Sequence, residues 1–222
     1  MTSAGPDIIT DSLLLYYDLN NTTCWDGTSG TVYDLTVNNH DATLYNSPSY
    51  STNNGYKVLE TNGTTSYLLS PTPNLSSTNY TVMVGSRYTT TGNTYNTNNS
   101  RLLNAVGNNW LLGHWYKSSN KHFADGWITN SNYNDGDTNW GIHAATGNIG
   151  SDQYSYYKNN SAVVSNSSAG SAGPNGFAFG RAGYYNGEYA PGQLSFLLVY
   201  NRILTSTEMT QNYNAFKDRL GL

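Results

Sequence analysis

Short apolar runs recur along the whole chain, and each is closed off by a stretch rich in Asn, Gly, Ser, Thr or Pro. That punctuation constrains the fold more than any other feature, because a run too short for a helix and bounded by turn residues reads as a strand. In YTVMVGSRY, Tyr80, Val82 and Val84 alternate with Thr81, Met83 and Gly85, the period of two that a pleated strand requires. SLLLYYD (12–18) is apolar on both faces and predicts a strand buried on both sides. DATLY (41–45), YKVLE (56–60) and SYLLS (66–70) follow. RLLNAV, NWLLGHW, HFADGWI, GIHAA, QYSYYKN, SAVVS and GFAFGR continue the series. GQLSFLLVYNR (192–202) is the most apolar run and is expected at the centre of a sheet. About a dozen such strands predict an all-β fold, a two-sheet antiparallel jelly-roll sandwich. No linker or repeat divides the 222 residues, so one domain over 1–222 is expected.

One helix interrupts the pattern. Thr205-Ser206-Thr207-Glu208 has the form of a capping box, in which hydroxyl and carboxylate satisfy the free N–H groups of a first turn. Met209, Tyr213, Phe216 and Leu220 then fall on one helical face, and Gly221 follows as a stop signal.

Composition narrows the function. Charged residues make up 11% of the chain, the net charge is −4, and Lys and Arg are scattered, so the basic footprint needed for a phosphate backbone is missing. Nucleic acid is therefore not an expected partner, and neither is membrane insertion, since no apolar run is long enough to span. Cys24 is the only cysteine, so neither an internal disulfide nor a multi-cysteine zinc site is available. The first twenty residues lack a basic segment ahead of their apolar run, which argues against a secretory leader and for assembly in a cytoplasm. Tyrosine is abundant, 20 residues against 5 phenylalanines, and suits contact surfaces that are apolar at one end and wet at the other.

The densest chemistry lies in NNWLLGHWYKSSNKHFADGW (108–127), with three tryptophans and two histidines. Strand parity places Trp110, Leu112 and His114 on one face and Leu111, Gly113 and Trp115 on the other. A hairpin around YKSSNK would bring His114 towards His122, yet two imidazoles without a third ligand make a poor zinc site, and packing in the core is the expected role.

Taken together, three stretches carry a family resemblance. LLLYYDLNN with TVYDLTVNNHDATL, the middle strands from NNWLLGHW to GPNGFAFGR, and the closing GQLSFLLVYNRILTSTEMTQNYNAFKDRLGL resemble the laminin G-like branch of the concanavalin A-like lectin/glucanase superfamily. Thr36-Val37 departs from the Ser-Gly usual in the opening loop. The Trp-Leu-Leu-Gly-His-Trp and Tyr-Asn-Arg forms are similar to domains in virion proteins of tailed phages and other aquatic viruses. That resemblance implies a non-enzymatic protein of the virion surface, a capsid decoration or adhesion module, assembled in the host cytoplasm. Its partners would be copies of itself, other capsid or tail proteins, and host-surface glycans. A tail-fibre or free lectin-type module is the alternative, and a glycoside hydrolase a more distant one.

Hydrolase chemistry finds little to work with. Glycosidases of this superfamily carry a Glu-x-Asp-x-x-Glu strand, whereas Glu60, Glu188 and Glu208 stand far apart and Gly136 between Asp135 and Asp137 reads as a turn. Composition leaves a Ser–His–Asp triad open, but no Gly-x-Ser-x-Gly occurs, and no catalytic residue is expected. The resemblance also implies a possible cofactor, calcium, for which Asp34, Asn38 and Asp41 supply candidate oxygens; the same residues equally suit turn capping. For glycan binding, RAGYYNGEYAPG (181–192) offers Tyr184, Tyr185 and Tyr189 around Asn186 and Glu188, with Tyr116 as a second candidate. The same tyrosines would also serve a protein–protein interface.

Overall fold

The computed structural model describes residues 7–90, 100–130 and 136–222, so Asp135 lies outside the described residues. Within them the strands are β1 (Leu13–Asp18), β2 (Thr31–Val32), β3 (Ala42–Tyr45), β4 (Ser49–Asn53), β5 (Tyr56–Asn62), β6 (Tyr67–Asn74), β7 (Tyr80–Tyr88), β8 (Arg101–Asn104), β9 (Trp110–Trp115), β10 (Ser118–Ala124), β11 (Gly141–Asn148), β12 (Gln153–Lys158), β13 (Ser161–Ser167), β14 (Asn175–Phe179) and β15 (Pro191–Tyr200). The one α-helix among the described residues, α1, spans Ser206–Leu220. Two antiparallel sheets result. The first runs β13-β12-β11-β7-β15-β5-β4 with β1 also on β15; the second runs β10-β9-β8-β14-β6-β3-β2. β15 pairs along its whole length with β7, and shares its other edge between β5 at one end and β1 at the other. Its position is central, as its apolar sequence predicts.

Alternation in β7 has a clear physical meaning. Tyr80, Val82 and Val84 enter the core between the sheets with Trp110, Leu112, Phe177 and Val199. Met83, on the opposite face, joins Phe196, Leu198 and Tyr200 beneath α1, against Met209, Phe216 and Leu220. The helix thus acts as a third layer. Phe216 stacks on Phe196 with ring centroids 3.7 Å apart. Gly85 makes room for that pair, since a Cβ there would lie 2.5 Å from the Phe196 ring.

The capping box forms as expected: Thr205 Oγ1 accepts from the Glu208 N–H, and the Thr205 N–H donates to Glu208. Gly221 closes the helix in the left-handed region at φ 75°. Arg202 grips Glu208 at 2.7 and 2.9 Å, and this pairing with the Thr205 N–H holds the carboxyl down at about 2. Buried Asn212 adds a link not evident in the sequence. It donates to the Tyr200 hydroxyl and accepts from Ile9 N, tying the helix to the sheet and to the segment before β1.

Three expectations change. HFADGWI is not one strand: β10 begins at Ser118 and stops at Ala124, and Asp125 turns at φ 57° so that Trp127 bridges back to Phe123. The β9–β10 turn is tight, with Tyr116 and Lys117 both at positive φ, the form that matches strand twist in a two-residue hairpin. The resulting register sets His122 opposite Leu112, so His114 does not face it across the hairpin. His114 instead meets His143 of β11, with centroids 4.8 Å apart. Finally, backbone pairing alone reveals β2, two residues long with Val32 in the core, and the polar strand β4.

Thr205→Ala is expected to lower stability by about 1 kcal/mol, and Phe216→Ala by about 3–5 kcal/mol. Equilibrium urea denaturation of both variants checks the order. Equal effects would remove the helix from its place as a packed third layer.

Candidate functional site

The tyrosine-rich segment leaves β14 at Phe179 and returns at Pro191. Its backbone is closed twice, by Ala190 N–H to Gly180 O at 2.9 Å and by Ala182 N–H to Gly187 O at 3.0 Å. Asn104, fully buried on β8, clamps it from below: its amide donates to Arg181 O at 2.6 Å and its oxygen accepts from Gly183 N at 2.7 Å. Gly183 is required there, because a Cβ would sit 2.3 Å from Ala105 O. Arg101 adds a second anchor. Its N–H donates to Glu188 O at 3.1 Å, and its guanidinium is ion-paired with the Glu188 carboxylate, the two side chains only 6% and 10% exposed. The segment is therefore a fixed platform.

Tyr184 and Tyr185 stand on that platform, each 41% exposed and edge-on to one another at 4.8 Å. The Arg101 guanidinium lies 5.3 Å from the Tyr184 ring centre. Partial burial, followed by a hydrogen bond to Glu188, raises the Tyr185 hydroxyl above the ordinary tyrosine range, so both rings meet solvent as neutral phenols. Asn186 is exposed, and its oxygen accepts from the Tyr189 hydroxyl at 2.7 Å and from Arg181 Nη1 at 3.2 Å. Glu188 belongs to the anchor, since its carboxylate is taken by Arg101. Tyr116 lies apart at the β9–β10 turn. Its ring meets Trp115 at 5.7 Å, and Trp115 meets Trp127 at 4.8 Å, so it belongs to a second aromatic group. No ring contact joins Tyr116 to Tyr184, Tyr185 or Tyr189 among the described residues.

The residues missed in the sequence are Arg101, Asn104, Arg181, Tyr45 and Tyr67. Arg181 sits 3.9 Å over the Tyr67 ring, which is stacked in parallel on Tyr45 at 4.7 Å and meets Tyr189 edge-on at 6.2 Å. Three separate stretches of chain converge there, and only the Arg-Ala-Gly exit from β14 gave any local signal.

The candidate calcium residues form a hydrogen-bonded turn. Asp34 Oδ1 accepts from Tyr16 N and Thr36 N, and Oδ2 from Thr36 Oγ1 and His40 N. Asp41 caps Asp34 N, while Asn38 turns its amide donors towards Leu14 O and Thr36 Oγ1. Among the described residues no group of three or more His, Cys, Asp or Glu is placed to hold a metal ion.

Histidines gather in the interior instead. His114, His122 and His143 are all fully buried. His143 Nδ1 lies 2.9 Å from the Tyr156 hydroxyl, and His122 Nδ1 lies 2.9 Å from Leu111 O. Glu60 accepts from Gln193, Glu188 pairs with Arg101 and Glu208 with Arg202, so these three carboxylates serve three separate places. Asp137 accepts from Ser119 and Lys158. Burial pushes its carboxyl up, but the Asn139 N–H, Ser119 and Lys158 together outweigh that and leave it at about 2.

No family model matches the sequence, and no curated protein does. Solved structures do match in fold. Domain 4 of AbnA, a GH43 extracellular arabinanase from Geobacillus stearothermophilus, solved in complex with arabinotriose, superposes with TM-score 0.65 at 17% identity, over 91% of this chain and 98% of that domain. The binding domain of Paraclostridial Mosquitocidal Protein 1 gives TM-score 0.65 at 15% identity over 93% of this chain. Trypanosoma rangeli sialidase gives 0.66 at 13% identity over 97%. The chain spans 52% of the toxin domain and 35% of the sialidase. At these identities the likeness is one of fold, the two-sheet jelly-roll sandwich.

Burial holds the His122 imidazole down at about 4, against the bond to Leu111 O, and burial with nearby His114 holds His143 well below its ordinary value. Unfolded histidines protonate near pH 6.5, so the unfolded chain binds more protons as pH falls below that, and stability is lost on acidification. For His122 alone the loss between about pH 6.5 and pH 4 is about 3 kcal/mol. Thermal melts across that window are expected to fall steadily, and a flat profile would contradict neutral buried imidazoles. Separately, Glu188→Gln leaves Arg101 enclosed without a counter-charge and is expected to cost about 3 kcal/mol or more in urea denaturation.

Proposed function

We propose that this protein is a non-catalytic glycan-binding sandwich carried on the surface of a virion, as a capsid decoration or adhesion module in several copies. The observation that carries the glycan reading is the rigid display of Tyr184 and Tyr185 beside exposed Asn186. Planar apolar faces next to amide donors and acceptors suit the C–H faces and hydroxyl edges of a sugar. Ordering cost is already met by the Asn104 clamp and the Arg101–Glu188 pair. The likeness in fold to an arabinanase domain in complex with arabinotriose and to a toxin binding domain supports the same reading. The virion setting rests on the resemblance of the Trp-Leu-Leu-Gly-His-Trp and Tyr-Asn-Arg stretches to phage domains. There, weak single-site binding would be multiplied by copy number.

A glycan array probed with the purified protein, both free and displayed multivalently, tests this. Binding should appear on the multivalent form and fall by about tenfold in the Tyr184→Ala/Tyr185→Ala variant, with near-normal melting. Absence of binding on every glycan would sink the adhesive reading and leave these tyrosines as contacts between virion subunits.

A further inference from the structure

Arg181 is unlike most of the other arginines. Arg101, Arg202 and Arg219 each pair directly with a carboxylate, and Arg87 bonds Gln193 Oε1, whose amide in turn donates to Glu60. Arg181 has no carboxylate partner among the described residues. Among the described residues its Nε is enclosed without a hydrogen bond, Nη1 donates to Asn186 Oδ1 alone and Nη2 to none, so an acceptor must approach from the Nη end. Tyr67 supports the guanidinium from one side at 3.9 Å and is backed in turn by Tyr45, which is 40% exposed. Asn186 Oδ1 already takes two donors, from Arg181 and Tyr189, which leaves its NH2 group to face a ligand.

The result is a positive charge and an amide donor held beside a tyrosine stack, on a chain whose net charge is −4. A neutral sugar hydroxyl gains little from an unpaired guanidinium. A carboxylate or sulfate accepts without donating and gains a charge-assisted bond. We propose that Arg181, Asn186 and the Tyr45–Tyr67 stack form a subsite for an anionic sugar, its acidic group on Arg181 and the adjoining ring of the glycan against Tyr45. This rests on the glycan-binding reading above and names the class of glycan.

Titration calorimetry with uronate oligosaccharides, their carboxyl-reduced counterparts, and sulfated and unsulfated forms of one neutral oligosaccharide tests it. Acidic ligands should bind about ten- to a hundredfold more tightly than their neutral partners, and the uronate and sulfate arms show which acid is preferred. Arg181→Gln should erase that preference, so that each acidic ligand binds no more tightly than its neutral partner. Asn186→Asp, at an exposed position, should also erase the preference, by giving the guanidinium an internal carboxylate, and should weaken acidic and neutral oligosaccharides alike through loss of the amide donor. Tyr45→Ala should weaken acidic and neutral oligosaccharides alike. Should Arg181→Gln melt early, the Asn186→Asp result stands in its place. Neutral binding with no acidic preference in the parent protein would overturn the inference alone. An acidic preference that survives both Arg181→Gln and Asn186→Asp would do so too. Failure of every oligosaccharide to bind would overturn the glycan reading with it.

Discussion

Burial of the first sheet on both faces is the constraint from which the rest follows. β7 and β15 lie at its centre and carry apolar side chains in both directions, so one covering layer cannot suffice. The second sheet takes Val82, Val84, Leu197 and Val199; the helix takes Met83, Phe196, Leu198 and Tyr200. Each fully buried side chain of this size contributes about 1.5–3 kcal/mol relative to exposure, which makes the helix layer a large share of a marginal total. The close approach of Phe196 and Phe216 over Gly85 is where that layer locks.

The second sheet is built to a different end. Its inner face shares the common core, while the segment that crosses from β14 to β15 lies against β8 and carries the exposed tyrosines. Asn104 and Arg101, both on β8, hold that segment by a buried amide and a buried ion pair. Their energetic contribution to folding is modest or even unfavourable, because desolvation offsets the attraction. What they supply is position, and a site presented on a fixed backbone loses less entropy when it binds.

Strand order along the chain and the helix cap were legible because their signals are local. Thr205, Glu208 and Gly221 act within one turn of helix, and the alternation in YTVMVGSRY is visible in nine consecutive residues. The break in HFADGWI is not visible locally, because the turn at Asp125–Gly126 depends on a distant segment: a Cβ at Gly126 would lie 1.7 Å from Ala169 O. The pairing of His114 with His143 rather than His122 reflects hairpin register, which a two-residue turn at Tyr116–Lys117 sets and the apolar pattern does not.

By itself the sequence determined a sandwich of short antiparallel strands, its capped closing helix, and the exposed character of Tyr184, Tyr185 and Asn186. Only the tertiary structure decided that Glu188 is an anchor, that Asp34 and Asn38 tie their loop to the backbone of β1, and that Arg181 lies over Tyr67, which is itself stacked on Tyr45. The physical reason is range. Caps and alternation are fixed by neighbours a few residues away, whereas the Arg181–Tyr67 contact, across 114 positions, depends on which strands the sheets bring together.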